Sequence, residues 1–367
     1  EDDNLFLGLK ASAFETLSKT GNKKYEYILP EFILNKNLIS NNKIGVIDLQ
    51  SNLKIHNYDT NKLTKFFVND FDWMIKNFKF NSGINTKLLG NLKNVNYETK
   101  NESKYKEEFT NELFGAVGML SEIDFFKKNN VYNHFLTPKI LFRYAPGHMR
   151  KEDDGFRLNP RNLYDMNRVD AFNNFENGLS AALGFDYELK KSEKIFDISL
   201  GQVLNEKENK NMSASSSLDQ KFSDVVGTSN FKINDNYELD YNFSLDQNYK
   251  DINYNEFGSK INFEPIKFNL SYLQEKKHIG NQEYFQGNIE LEKGDNGVFS
   301  LSTKRNLLTN SSEYYNLSYE YFNDCLRAGL VFRREFYNDS EIEPENSLMF
   351  KITLNPLGDI NSPSFNQ

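Results

Sequence analysis

Few residues in this chain have the type and spacing to do chemistry. Five of its nine arginines, Arg143, Arg150, Arg157, Arg161 and Arg168, fall within or beside the irregular stretch 145–176. A guanidinium pairs phosphates and carboxylates in bidentate fashion, so this cluster could hold a phosphorylated ligand or a protein partner. Glu152, Asp153, Asp154, Asp165 and Asp170 lie among the arginines. Internal ion pairs that fold the stretch over the rest of the molecule are therefore the simpler reading.

Other chemistry finds little support. His56, His134, His148 and His278 show neither His-x-x-x-His spacing nor a cysteine partner, so no metal is expected. Composition leaves a Ser-His-acid hydrolase open, since barrels host catalysis, but no Gly-x-Ser-x-Gly elbow occurs. A Gly-x-x-x-x-Gly-Lys phosphate loop is also absent. The expectation is no enzyme and no cofactor. Cys325 is the sole cysteine, so it is free or bonded to a partner outside this chain.

The elements that must position these residues are strands. From Leu326 the even positions read Leu326, Ala328, Leu330, Phe332 and the odd ones Arg327, Gly329, Val331, Arg333. Leu348, Phe350, Ile352 and Leu354 likewise alternate with Ser347, Met349, Lys351 and Thr353. Period two marks a strand with unlike faces. The clearest case sets Tyr237, Leu239, Tyr241, Phe243 and Leu245 against Glu238, Asp240, Asn242, Ser244 and Asp246. Ten tilted residues at about 3.3 Å each cover roughly 24 Å, the height of the ~25 Å lipid-facing band of an outer-membrane barrel.

Strands are expected at 4–17, 23–36, 44–56, 62–74, 82–97, 113–126 and 131–144, with a turn at 18–22 and blurred alternation from 44 to 97. After the long irregular stretch they are expected at 177–189, 195–205, 218–233, 237–247, 253–263, 267–277, 283–293, 298–307 and 314–322, followed by the closing pair from 326 and from 347 to 355. That makes 18 strands. Connections alternate in length: 190–192, 234–236, 264–265, 294–297 and 323–324 are short, whereas 98–112, 145–176, 206–212 and 337–346 are long. Short turns at one end and long loops at the other are a transmembrane barrel pattern.

Composition agrees. Aromatics are 14% of 367 residues, mean hydropathy is −0.68, and no run of 18 apolar residues occurs. A transmembrane helix needs about 20; a membrane barrel needs none, because its alternate residues face a polar lumen. A net charge of −8 argues against a nucleic-acid surface. Lysines outnumber arginines 35 to 9 and asparagine is abundant, which points to a biased genome before it points to function. The chain opens Glu-Asp-Asp with no signal segment, as expected of a fragment edge or a processed end.

Four stretches, RYAPG, NLYDMNRVDAFNNFENG (162–178), SDVVG (223–227) and CLRAGLVFRREFYNDSEIEPENSLMFKITLNPLG (325–358), together resemble the C-terminal barrel of the LptD family of outer-membrane LPS-assembly proteins. The resemblance implies an all-β fold, an antiparallel transmembrane β-barrel, here partial with about 18 strands of a barrel of ~26. Residues 1–358 would be barrel, 145–176 a long extracellular loop and 359–367 a C-terminal tail, with the N-terminal jelly-roll and first strands absent from this chain.

It implies transport without covalent catalysis. Lipopolysaccharide would enter the outer leaflet through a lateral gate between first and last strands, with Leu348, Phe350, Ile352 and Leu354 on one lip. An LptE-like lipoprotein would plug the lumen, a periplasmic LptA-like bridge would dock on the jelly-roll, and an inner-membrane ATPase would supply energy. Cys325 stands where the family carries a cysteine bonded to the jelly-roll, which makes its turn and the C-terminus periplasmic. Many relatives have two adjacent cysteines there; this chain has one. The arginines would contact the plug or lipopolysaccharide. The rival readings are a general outer-membrane porin or substrate channel, and a soluble or adhesive β-repeat protein.

Overall fold

The computed structural model describes residues 5–15, 25–41, 43–59, 61–75, 77–169, 171–294, 296–336, 344–354, 358–361 and 365–366. The turn expected at 18–22, Asp170 and most of the connection at 337–346 lie outside them.

Alternating side chains with aromatic and β-branched residues on one face favour extended backbone, and no α-helix occurs among the described residues. The strands are β1 (Leu5–Glu15), β2 (Tyr25–Asn41), β3 (Gly45–Tyr58), β4 (Lys62–Met74), β5 (Phe78–Lys79), β6 (Ile84–Lys100), β7 (Thr110–Ile123), β8 (Phe125–Lys128) and β9 (Asn133–Ala145). After a long connection come β10 (Gly178–Lys191), β11 (Lys194–Asn205), β12 (Val225–Ile233), β13 (Tyr237–Leu245), β14 (Ile252–Phe263), β15 (Ile266–Glu275) and β16 (Gln282–Glu292). The chain continues through β17 (Gly297–Asn306), β18 (Ser311–Phe322), β19 (Leu326–Glu335), β20 (Asn346–Leu354), β21 (Gly358–Asn361) and β22 (Phe365–Asn366). All belong to one antiparallel sheet.

Setting aside β5, β8, β21 and β22, each of four residues or fewer, eighteen described strands remain, one for each strand expected. Several boundaries differ: β2 runs to Asn41 rather than 36, and β7 spans Thr110–Ile123 rather than 113–126. Strand β12 begins at Val225 rather than 218, because Leu218, Ser223 and Asp224 are buried loop residues and Ser223 bonds back to the Val203 backbone. Part of the expected tail pairs with β20: Gly358 to Asn361 against Leu354 to Lys351, and Phe365 with Leu348. Long and short connections alternate in part: 75–83 and 124–132, in the short set, carry β5 and β8, and 59–61, in the long set, has three residues.

Two compact units divide the chain. In the second, residues 127–134, 187–198 and 227–367, the strands β13 to β20 form a meander whose register follows hydrophobic rows. One row reads Tyr237, Ile261, Phe268, Ile289, Leu301, Leu317, Phe332, Leu348, each opposite the next. The neighbouring row reads Glu238, Lys260, Asn269, Asn288, Ser302, Asn316, Arg333, Ser347. A slip of one residue would exchange the two faces. The apolar row is uncovered, with Ile289, Leu301, Leu317, Phe332 and Leu348 all exposed. Such a continuous apolar face matches a lipid-facing wall.

The first unit, residues 1–126, 135–186 and 199–226, is built differently. Strands β4, β6 and β7 carry apolar residues on both faces. Phe67, Trp73, Leu92, Leu113 and Val117 are exposed on one, whereas Phe66, Val68, Val95, Tyr97, Phe114 and Ala116 are buried on the other. What buries the second face is the long connection 146–177, which folds onto it. A strand met by loop on one side and by lipid on the other carries apolar residues on both, and the covered face here also bears Asp70, Asp72, Asn91 and Lys93, which is why alternation blurs in this half.

Candidate functional site

The site grows from the wall strands inward. From the connection 146–177, Met149, Phe156, Leu158, Leu163 and Val169 pack with Leu141 of β9, Ala182 of β10, Val203 of β11 and Val226 of β12. Met166 and Phe175 pack with the buried residues of β4, β6 and β7. Two further connections join: Tyr105 makes edge contacts with Phe66 and Tyr97, and Met212 and Leu218 enter the first cluster. Local turn chemistry shapes the inserted segment. Asn159 accepts from the backbone of Arg161 and Asn162, the Asx turn expected before a 3-10 turn, Asn162–Tyr164. Asn174 donates to the Arg150 carbonyl and to Glu152 at 3.0 and 3.1 Å, bracing the two limbs.

The five arginines part company. Arg143, on β9, is 1% exposed; its Nε donates to the Met166 carbonyl at 2.6 Å and its Nη2 to the Glu176 carbonyl. Its guanidinium lies 5.6 Å from the ring centre of Phe175. Arg168 grips the Glu176 carboxylate with Nε and Nη2, and Nη2 also reaches Ser180 Oγ at 2.8 Å. Burial alone would raise the Glu176 carboxyl, yet the Arg168 and Arg143 charges hold it below the usual carboxylate range. Arg150 pairs with Glu112 of β7 amid the rings of Tyr97, Tyr105 and Phe114, with centroids 5.4–5.7 Å away. Arg157 is half-buried and Arg161 exposed. Only Arg143 and Arg168 are brought together.

The partners of Arg143, Arg150 and Arg168 are not the acids expected beside them. Asp153 pairs with Lys151 at 2.9 Å and Glu152 with Lys104 at 3.5 Å. The inward-turned guanidiniums instead take Glu176, which is buried, and Glu112, which is partly so, because an unpaired charge inside costs far more than one at the surface. Glu112 ends the charged insert 98–112 and gave no sign of a distant partner, whereas Glu176 closes the irregular stretch eight residues from Arg168, and their pair is internal to that stretch, as expected.

Between the inserted segment and the wall lies a polar cavity of about 420 Å³, lined by Asp70, Asp72, Asn91, Lys93, Tyr164 and Asp165 among others. Lys93 neutralises Asp70 at 2.8 Å, and Asn91 Nδ2 bridges Asp70 and Asp72 at 2.6 and 2.8 Å. Although Asp165 is open to the cavity, desolvation by the surrounding protein raises its carboxyl, and the Asp72 charge adds to the effect. Among the described residues no group of three or more His, Cys, Asp or Glu could hold a metal.

In the second unit, Leu348, Phe350, Ile352 and Leu354 of β20 stand opposite Phe332, Leu330, Ala328 and Leu326 of β19. The apolar stripe continues unbroken to the last long strand. Cys325 sits in the turn between β18 and β19, where Asn323 Oδ1 accepts from the Cys325 and Leu326 backbone at 3.0 and 2.8 Å. Its thiol is exposed and unbonded within the chain.

Solved structures similar to this chain include three substituted variants of a porin from Rh. blastica. They are 8–9% identical, have TM-scores of 0.30–0.31, and cover 86% of this chain and 100% of the porin. A likeness that slight carries no argument. Among curated proteins nothing matches. The family described as LptD, LPS transport system D, matches residues 3–323, stopping short of Cys325 and the closing pair. That span takes in the inserted segment, the wall it packs on and most of the lipid-type face, and the chain therefore belongs to the LptD family, with the strands of an outer-membrane β-barrel.

Proposed function

We propose that this chain is the membrane-embedded part of a translocon that inserts lipopolysaccharide into the outer leaflet. Family membership over residues 3–323 is the observation that carries the reading. Lipid tails would leave through a lateral gate of which β20 is one lip, with Leu348, Phe350, Ile352 and Leu354 against the acyl chains. The apolar register of β19 on β20 supports it, because lipid tails need a path that desolvates no polar side chain. Sugar headgroups would travel along polar surfaces such as the row from Glu238 to Ser347.

The partners in this reading are an LptE-like lipoprotein inside the barrel and an LptA-like periplasmic bridge reached through a domain outside this chain. Cys325 would bond that domain, its turn and the C-terminus facing the periplasm, and residues 146–177 would lie on the extracellular side. The exposed thiol in a short turn supports the assignment. Arg161, which is exposed, would be the one open to lipopolysaccharide phosphates.

A photo-crosslinking residue placed at Phe350 or Ile352 tests this in living cells. Adducts with lipopolysaccharide are expected there and not at Ile289, which lies on the apolar face of β16, earlier in the same meander. Equal labelling at all three positions would sink the gate assignment, and depletion that leaves lipopolysaccharide delivery unchanged would sink the function.

A further inference from the structure

Strand β20 ends the meander, with β19 on one edge. On its other edge, among the described residues, lie the short strands β21 and β22. Gly358, Asp359, Ile360 and Asn361 stand opposite Leu354, Thr353, Ile352 and Lys351, and Phe365 and Asn366 stand opposite Leu348 and Ser347. The sequence of this added segment fits both rows of the sheet. Ile360 and Phe365 take register positions on the apolar row of Ile352 and Leu348, while Asp359, Asn361 and Asn366 fall on the polar row of Thr353, Lys351 and Ser347. A slip of one residue would set the polar residues on the apolar row, so the register is specified by the segment's own alternation.

We propose that residues 358–366 are a displaceable closing strand, which competes for the second edge of β20 with the strand that closes the complete barrel and caps that edge while the seam is open. An edge in the hydrocarbon region leaves backbone N–H and C=O groups with no water to bond, so a seam that parts in lipid needs a substitute strand. One edge pairs with one strand at a time, and the two occupants therefore exclude each other. The segment pairs with β20 at six positions where β19 pairs at nine, which makes it the weaker partner and one that a full-length strand can displace. Only residues 355–357 separate it from β20, so its effective concentration at that edge is high whenever the edge falls vacant. The inference rests on the proposed place of β20 at the seam, and not on what passes there.

The test uses the full-length protein in its own outer membrane. Opposite residues alternate between hydrogen-bonded and non-hydrogen-bonded pairs, and the second kind sets side chains closer. Two adjacent pairs are therefore tried, Ile352→Cys with Ile360→Cys and Thr353→Cys with Asp359→Cys, against Ser347→Cys with Asp359→Cys as the out-of-register control. Mild oxidation should form a disulfide in at least one of the two pairs and not in the control. With the segment locked on β20, a normally excluded large antibiotic should enter, and a reductant should restore exclusion; the parent, given the same reagents, controls for Cys325. Removing residues 358–367 should leave exclusion intact, because the closing strand then has no competitor. Where the cysteine variants do not assemble, a photo-crosslinking residue at Ile360 decides, with an intrachain adduct to the β20 peptide expected. The disulfide with its permeability switch supports the exchange even where Phe350 gives no lipopolysaccharide adduct, a result that sinks only the lipid path. No disulfide in either pair of the folded barrel, no adduct to β20, a locked segment that leaves exclusion unchanged, or a leaky deletion variant would overturn the proposal.

Discussion

Arg168 holds Glu176 inside the first unit, Nε donating to Oε2 at 2.7 Å and Nη2 to Oε1, with both side chains cut off from solvent. Arg143 completes the cluster from β9, its Nη1 3.9 Å from the same carboxylate. Removing one partner of a buried pair strands the other, at about 3–5 kcal/mol. Arg168→Met should therefore lower the unfolding midpoint in urea, measured by the loss of the heat-modifiable folded band. Arg168→Met with Glu176→Leu should lose less than the two single changes added together.

The same cluster sets a pH dependence. The Glu176 carboxyl is held below its unfolded value of about 4.3. The ionised form is thus the one the fold favours, and its stabilisation is present above about pH 4.3 and lost as pH falls through the folded value. Protease protection of residues 146–177 should stay level from neutral pH to about pH 5 and decline on further acidification. Glu176→Gln should flatten that decline; an unchanged profile in this variant would assign it to other groups.

The apolar row of the second unit predicts a sharp difference between neighbours. Ile289 belongs to the apolar row and Asn288 to the polar one. A cation at mid-depth on a lipid face costs about 2–4 kcal/mol. Ile289→Arg should reduce the folded protein recovered from outer membranes, while Asn288→Arg should leave it near the parent level. Equal losses would mean that the faces are assigned wrongly.

Cys325 has an exposed thiol and no disulfide partner in this chain. On the reading proposed above, in which its turn faces the periplasm, it should resist alkylation in native membranes until a reductant is added, because an exposed cysteine in an oxidising compartment bonds when a partner is in reach. Full labelling without reductant would exclude the disulfide.

What could be read from sequence follows from what is local. Alternation in β13 to β20 is carried by each strand alone, because a lipid face and a polar face impose opposite demands on adjacent residues. Those strands, their number and their alternating connections were therefore legible. From β3 to β6 the same rule gave a blurred signal, since Phe66, Val68, Val95 and Tyr97 meet the inserted segment instead of water. The closing pair shows the same division from Leu326 to Leu354. Its stripe was plain in the sequence, but the pairing of Gly358 to Asn361 with the last long strand was not.

The strand repertoire, the lipid-type face and the lone thiol are properties of short windows under one solvent, and the chain of residues alone was enough to set them. Where residues 146–177 go was settled by packing in three dimensions. Their destination depends on contacts such as Arg143 with Glu176 and Leu163 with Gly201, between residues tens of positions apart. Charge and volume complementarity at that range leaves no period in the chain, so five arginines that look alike in sequence become two buried anchors, one ring-stacked brace and two groups nearer the surface.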